Sequence, residues 1–443
     1  MTVLATTLHP GRLLGPEGAG GRPDLARHLA THGPLPAAEL WGPNGRQWLL
    51  HEVQRSGLTG RGGAGFPTHL KLRTVYRDGA GYRDGARPTL IVNAMEGEPA
   101  SAKDRALVGG APHLVLDGAD IVAAVLGASR ILICVADDRR TMAAQLAEAL
   151  AQRASGVPAQ TAAHVDRTIV TLPGRYTAGE ESALVASASG RPGVPAFRPD
   201  KSRPLTLGRR PVLVHNAETL ANVALIARYG ADWFRQLGAV EAPGTCLATV
   251  SGDVERAGVF EVETGTPISQ IIGLAGELGT TQAVLVGGYG GSWLPAAGAA
   301  TAYAPAALRR VGATMGAGVL VVLRAGACGL RETARIARFM AAESAGQCGP
   351  CLFGLPAVAD DLELLADGAA SPDLWGRIVS RSALVTGRGA CRHPDGVARL
   401  VSSALDVFAV DGHAHARGRP CPASHAPTVL QFSRPVDSGQ GRR

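Results

Sequence analysis

Thr89-Leu90-Ile91-Val92-Asn93-Ala94-Met95-Glu96-Gly97-Glu98-Pro99 is the stretch on which the fold class turns. Thr89 to Val92 is a short, β-branched apolar run with the length of a buried strand. The residues after it are an amide and two carboxylates around a glycine. In an open α/β sheet such residues sit at the carboxyl edge of a strand, where ligands bind. Taken alone, the segment is more often a solvated acidic turn, so its surroundings decide.

Working outward, Arg130 to Val135 and Pro211 to Val214 are further strand candidates, alternating with helical stretches such as Thr141 to Ala151. This rhythm predicts a parallel-sheet α/β domain over residues 41–240, with Leu35 to Leu50 as its first helix. The texture then changes. Strand-like Cys246 to Ser251, Val259 to Val262 and Gln282 to Val286 surround helical Pro267 to Leu278, which predicts a small β-grasp unit over 241–312. Amphipathic Glu332 to Ser344, Pro356 to Ala366 and Pro394 to Phe408 predict a C-terminal helical bundle over 313–410. Residues 1–40 read as an arm, and the Pro-, His-, Arg- and Ser-rich residues 411–443 as a disordered tail.

Bulk properties exclude several classes. Hydrophobic residues make up 46% of the 443 and charged residues 18%, with 58 Gly and 29 Pro, which is a loop-rich globular composition rather than a disordered one. The net charge of +7 comes from scattered arginines, so no nucleic-acid stripe is formed, although anionic cofactors are suited. No window reaches the ~18 apolar residues of a membrane span, and the N-terminus lacks a secretory pattern, so cytoplasm is expected. Seven cysteines, an odd number, point to reduced thiols or metal ligands rather than a disulfide framework.

Four further clusters carry chemistry. Gly57-Leu58-Thr59-Gly60-Arg61-Gly62-Gly63-Ala64-Gly65-Phe66-Pro67 precedes a helix expected from Thr68 to Tyr76. Missing Cβ atoms let backbone N–H groups approach a phosphate, the helix start favours negative charge, and Arg61 and Lys71 add cations. Gly60, Gly62 and Gly65 match G-x-G-x-x-G without a preceding strand, so a mobile surface loop fits as well. Tyr176-Thr177-Ala178-Gly179-Glu180-Glu181-Ser182 places paired carboxylates at a helix start, where capping also explains them. His215-Asn216-Ala217-Glu218-Thr219 follows a strand. Cys348-Gly349-Pro350-Cys351 with Cys391 supplies three thiols, which suit an iron–sulfur site, a zinc site with His393, or a redox pair. Cys134, Cys246 and Cys328 read as core thiols, and Cys421 falls in the tail.

In this order, GRGGAGFPT, NAMEGEP with Lys103-Asp104-Arg105, GEESAL, HNAETLANV and ESAGQCGPC resemble the NADH-binding flavoprotein subunit of complex I and its relatives in soluble hydrogenases and formate dehydrogenases. The resemblance covers residues 40 to 410. It implies a Rossmann-like FMN/NADH domain, a β-grasp domain of SLBB type and a helical iron–sulfur-binding domain. FMN would be held by Arg61, Gly62, Gly63, Lys71, Asn93, Asn216 and Thr219, with Gly60, Gly65, Glu96 and His215 as further cofactor-binding residues. Glu98, Tyr176, Gly179, Glu180 and Glu181 would line the NADH side, with Phe66 near the adenine. Cys348, Cys351 and Cys391 would ligate a 4Fe-4S cluster. The implied reaction is hydride transfer from NADH to FMN, then single-electron steps to a thioredoxin-fold 2Fe-2S subunit among other electron-transfer subunits, at the inner face of a membrane without a span. No catalytic side chain is implied.

The departures are as informative. Ala345 stands where the family pattern has a cysteine, so a 4Fe-4S cluster lacks one ligand, and a cluster-less diaphorase or a non-catalytic scaffold are the alternatives. Met95 replaces an acid, and His215 one of two asparagines. Thr74 and Lys201 stand where the family has aromatic rings for the adenine, which weakens stacking. Lys201 with Arg198 would favour a 2′-phosphate, making NADPH the alternative donor to NADH.

Overall fold

The strand Thr89–Ala94 lies at the centre of a five-stranded sheet in a computed structural model that describes residues 4–7, 11–14, 24–75, 86–156, 165–199, 203–371, 373–430 and 432. In spatial order the sheet runs Asp166–Leu172, Arg130–Ala136, Thr89–Ala94, Arg210–Asn216 and Leu205–Leu207. The first four are parallel, and Leu205–Leu207 pairs antiparallel on the edge. Burial of both faces explains the unbroken apolar run at the centre. Leu90, Val92 and Ala94 pack with the helices Gly45–Ser56, Pro112–Leu126 and Ala217–Phe234. Ile91 and Met95 point the other way, against the helix Glu181–Ala188.

From Thr89–Ala94 the chain builds outward through Arg130–Ala136 and Asp166–Leu172, then returns to the opposite side as Arg210–Asn216. That reversal opens a crevice beyond the carboxyl ends of Thr89–Ala94 and Arg210–Asn216. Asn93 and Asn216 are register partners at its rim.

The helices Pro112–Leu126 and Ala217–Phe234 pack so closely that a Cβ on Gly118 would lie 1.9 Å from the Leu220 carbonyl oxygen. Among the described residues no single helix is long and apolar enough to cross a membrane. The one bent pair, Lys103–Gly110 with Pro112–Leu126, turns through 96°. Pro112, which has no N–H to continue a helix, starts the second member, and both members are largely buried.

A second, six-stranded sheet runs Leu4–Thr7, Gly258–Glu263, Thr245–Gly252, Val319–Arg324, Thr281–Val286 and Ser292–Pro295. Its alternating residues also serve two cores. Val250, Phe260, Val284 and Leu320 cover the helix Ile268–Ala275, whereas Leu285, Trp293, Val321 and Leu323 meet the helices Gly329–Ala342, Leu355–Ala366 and His393–Val407. The sheet therefore extends beyond the expected 241–312 unit at both ends, because Leu4–Thr7 and Val319–Arg324 complete its ladder.

The terminal expectations need correction. Residues 1–40 are not a bare arm. Backbone N–H groups of Arg12, Leu13 and Leu14 donate to the buried Glu261 carboxylate at 3.1, 2.9 and 3.2 Å, and the Arg12 guanidinium lies 3.8 Å from the Trp233 ring. The helix Leu25–His32 docks His28 on Asp117 at 2.7 Å. Likewise the tail from 411 is packed wherever it is described. The helix Ala409–His415 buries His415, Arg331 holds the carbonyl oxygens of Ser424 and Ala426, and Glu332 accepts from Val429 N–H at 2.8 Å. Both segments are held through backbone polar groups, which composition does not reveal. Leu35 to Leu50 is also two helices, Ala37–Trp41 and Gly45–Ser56, separated at Gly42-Pro43.

Gly118→Ala is expected to destabilise the protein by at least about 2 kcal/mol, because neither backbone can yield. Chemical denaturation of both proteins measures it, and an unchanged midpoint would show that the two helices are free to separate.

Candidate functional site at the sheet switch point

The glycine loop is closed at its neck. Thr59 bridges Pro67, Gly60 N–H donates to the Phe66 carbonyl at 2.8 Å, and Thr68 N–H donates to the Leu58 carbonyl at 3.0 Å. Gly63 adopts φ +102°, and a Cβ there would meet the Gly316 carbonyl oxygen at 3.3 Å, so only glycine sits without strain. Gly60, Gly63 and Gly65, with Lys103, Cys246 and Arg309, line a cavity of about 240 Å³ between the two sheets. Phe66 is 48% exposed. Arg61 has protein partners at the cavity wall. Its backbone N–H donates to Thr219 Oγ1 at 2.9 Å, and its guanidinium holds the carbonyl oxygens of Thr245 (3.1 Å) and Pro243 (3.3 Å). Its Nε, on the cavity wall, is buried without a partner among the described residues.

The other motifs converge on the same crevice. A Cβ on Gly62 would lie 3.4 Å from Asn216 Cβ. Asn216 caps the helix Ala217–Phe234, and its Nδ2 donates to Asp104 Oδ2 at 2.9 Å and to the Asn93 carbonyl at 3.3 Å. Asn93 Nδ2 donates to the Gly179 carbonyl at 2.9 Å. Lys71 Nζ lies 3.4 Å from Glu181 Oε1. Burial holds His215 well below the usual histidine range, with Lys71 acting in the same direction, and its Nε2 is a buried orphan among the described residues.

Two acids are already engaged. Glu180 Oε2 accepts from the N–H groups of Ser182 and Ala183, both at 2.9 Å, and so caps its own helix. Glu96 adopts φ +43°, a conformation rare outside glycine, and accepts from Asp104 N–H at 2.8 Å and Arg105 Nε at 2.7 Å. Beside it sits a network that sequence reading did not assign. Lys103 Nζ meets Asp104 Oδ1 at 2.7 Å, Asn216 Oδ1 at 3.0 Å and Glu218 Oε2 at 3.1 Å, all of them largely buried. The signal was present in KDR and NAE, within motifs quoted for their neighbours.

Glu98 lies on the far side of the crevice. It accepts from Tyr289 N–H at 2.9 Å and from the Tyr176 hydroxyl at 3.2 Å. Burial pushes its carboxyl up to about 7, although the Tyr289 and Ala100 N–H groups and the Tyr176 hydroxyl pull against that. Tyr176 packs edge-on to His393 at 5.4 Å, and its N–H donates to Glu343 Oε2 at 2.9 Å. Met95 is buried against the sheet. Arg198 donates to the Arg203 carbonyl, whereas Lys201 lies outside the described residues.

This tyrosine leads to the cysteines. Cys351 sits on a π-helical turn, Pro350–Gly354, in hydrogen-bond contact with Cys348. Burial pushes the Cys351 thiol up to about 12, and the nearby thiols of Cys348 and Cys391 add to that. Cys391 accepts from His393 N–H. Ala345 offers no donor. The neighbouring Ser344 Oγ and His393 Nδ1 are buried without partners among the described residues. The donor set therefore fits an iron–sulfur cluster through three thiolates, with its fourth corner not supplied by cysteine.

Residues 53–225 match the model of the Nuo51 FMN-binding domain, and residues 331–415 that of the NADH-ubiquinone oxidoreductase-F iron-sulfur binding region. The F subunit of NADH-quinone oxidoreductase in Streptomyces coelicolor is 30% identical over 87% of this chain and 87% of its own. Its counterpart in Mycobacterium bovis is 31% identical over 86% and 87%. An NAD+-reducing [NiFe]-hydrogenase, crystallised in the H2-reduced state, superposes with TM-score 0.76 at 30% identity over 90% of this chain and 67% of its own. An FMN-binding region and an iron–sulfur region on one α/β frame define a flavin- and iron–sulfur-dependent oxidoreductase component. More narrowly, the chain belongs to the family of NADH-quinone oxidoreductase F subunits.

The Glu98 carboxyl gives a pH test. Because its folded value is raised above the unfolded one, its contribution to stability is complete below about 4.5 and is lost as pH rises through about 7. Relative to Glu98→Gln, the native protein should lose about 3 kcal/mol across that window. Denaturant unfolding of both proteins at several pH values reads this directly, and parallel profiles would place the Glu98 carboxyl in an ordinary, solvated range.

Proposed function

We propose that this chain oxidises NADH at the switch-point crevice and passes the electrons, through FMN and an iron–sulfur centre, to other electron-transfer subunits. The observation that carries this reading is the convergence of four separated motifs: Gly62 against Asn216, Asn216 on Asn93, Asn93 on Gly179, and Lys71 beside Glu181.

The buried orphans His215 Nε2 and Arg61 Nε, with the glycine-lined cavity, suit a polar group placed between them. Gly60, Gly62, Gly63 and Gly65 present backbone to the phosphate of FMN, while the helix beginning at Thr68 and the Lys71 ammonium favour its negative charge. Asn93, Asn216 and Thr219 hold the ring system and ribityl chain. When bound, FMN supplies the exchange between two-electron and one-electron chemistry, and a 4Fe-4S cluster on Cys348, Cys351 and Cys391 supplies the one-electron exit.

Glu98, Tyr176, Gly179, Glu180 and Glu181 line the nicotinamide side, with Phe66 toward the adenine. Glu98 is held protonatable near neutrality by burial, so it carries no fixed charge against an incoming nucleotide. Thr74 offers no ring to stack on, so adenine binding rests on Phe66. The strands around Ile268–Ala275 form a β-grasp unit of SLBB type, and the helices from Gly329 onward a bundle carrying the cysteines. A thioredoxin-fold 2Fe-2S subunit is the acceptor, in a complex peripheral to a membrane.

Anaerobically purified protein should carry FMN together with iron and sulfide, and the flavin absorbance should bleach on adding NADH more readily than NADPH. Gly63→Val should lose the bound flavin while keeping its iron, because the side chain enters the loop rather than the cysteine site. Bound flavin without iron would reduce the reading to a diaphorase, and the absence of both would leave a scaffold.

A further inference from the structure

Three potential ligands meet away from the crevice, and neither the flavin site nor the cysteine site uses them. Cys328 precedes the helix Gly329–Ala342, His415 ends the helix Ala409–His415, and Cys421 lies between Pro420 and Pro422. One ligand atom from each lies within 4.8 Å of the other two. We propose that Cys328, His415 and Cys421 bind a single thiophilic divalent cation, zinc by the chemistry of the set, with a water as fourth ligand.

The spacing selects an ion rather than a cluster. Zinc holds sulfur at ~2.3 Å and imidazole nitrogen at ~2.0 Å, so a tetrahedral site separates its ligand atoms by about 3.5 to 4 Å. From separations within 4.8 Å, the three atoms need to close by no more than about 1.3 Å. A four-iron cluster spreads its sulfurs wider.

The surroundings are organised for this chemistry. His415 Nδ1 lies 3.0 Å from the Leu365 carbonyl oxygen, which only accepts, so the proton stays on Nδ1 and Nε2 presents its lone pair. Burial pushes the Cys328 thiol up to about 12, against the pull of the Arg331 and Leu330 N–H groups that its Sγ accepts from at the start of a 14-residue helix. Without a cation the thiol is protonated. Arrival of Zn²⁺ therefore forms two zinc–sulfur bonds and releases two protons, with no change of oxidation state. Nε2 now accepts from Cys421 N–H at 2.8 Å, so loading exchanges that hydrogen bond for a coordinate bond and turns the Cys421 peptide. Cys421 is only half-buried, which leaves both an entry path and room for water.

The site would clasp the tail onto the body. The residues that follow place Ser424 and Ala426 on Arg331, bury Leu430, and set Phe432 5.3 Å from the rings of Tyr289 and Phe339. Tyr289 N–H in turn holds Glu98.

The test uses the full chain, purified without oxygen, with Zn²⁺ or Co²⁺ as the probe. The otherwise native protein should retain about one zinc per chain, and Cys421→Ser should lose it with iron unchanged. Cys348→Ser/Cys351→Ser should keep that zinc. Cys421→His should restore it, which separates loss of a ligand from loss of the fold. Co²⁺ should give a thiolate charge-transfer band that Cys421→Ser abolishes. Three results would overturn the site: no retained metal, retention undiminished in Cys421→Ser, or a Cys328–Cys421 disulfide, seen as a mass two hydrogens light, in the anaerobic protein.

Discussion

The architecture hangs on one buried ammonium. Lys103 Nζ sits between Asp104 and Glu218, and its third partner, Asn216, belongs to the helix whose start forms the crevice. Glu218 reaches further, accepting from Leu247 N–H at 3.0 Å on the second sheet. Burial alone pulls a lysine toward neutrality, but here the two carboxylates outweigh it and hold the group above its usual range. Charges in such a place are tolerated only when every member is paired. The network therefore fixes, together, the start of the helix Lys103–Gly110, the N-terminus of the helix Ala217–Phe234 and an inner strand of the second sheet. The glycine loop lies against all three, so its shape is inherited from this salt bridge.

A second continuity joins the nucleotide side of the crevice to the cysteines. Glu98 bonds Tyr176, Tyr176 packs on His393, and His393 Nε2 lies 2.8 Å from the Met340 carbonyl oxygen on the helix that leads to Ser344 and Ala345. The backbone of Tyr176 is also tied to Glu343. Glu98 and the cysteine-bearing segment are thus joined through Tyr176. Substituting a cysteine by Ala345 alters one corner of the exit and leaves this contact untouched.

What the sequence disclosed follows from periodicity and local chemistry. The strand Thr89–Ala94 and the helices of the cysteine region announce themselves because each buries residues at a regular spacing. The four motifs were legible because glycines, amides and carboxylates cluster at strand ends. Roles set by distant partners were not. Arg61 reads as a cation for a phosphate, and its anchoring on the carbonyls of Pro243 and Thr245 was not visible. Glu96 reads as a cofactor contact, and its ties to Arg105 and the Asp104 N–H were not visible. Residues 11–14 and 421–430 looked like loose ends because their attachments run through backbone N–H and C=O groups, which every residue possesses. Glu261, Arg331 and Glu332, far along the chain, give those groups a destination.

The pairing of Leu4 with Gly258 gives synthesis an awkward order. The strand Leu4–Thr7 leaves the ribosome before the flavin domain, and its partner Gly258–Glu263 only after it. Long-range closure of this kind slows folding. In the interval the strand Leu4–Thr7 has no ladder to join, and its own N–H and C=O groups are a template for another chain. Once paired, Leu4–Thr7 covers the outer edge of Gly258–Glu263, and removing it while sparing every cofactor contact would leave that edge free to pair with a neighbouring chain.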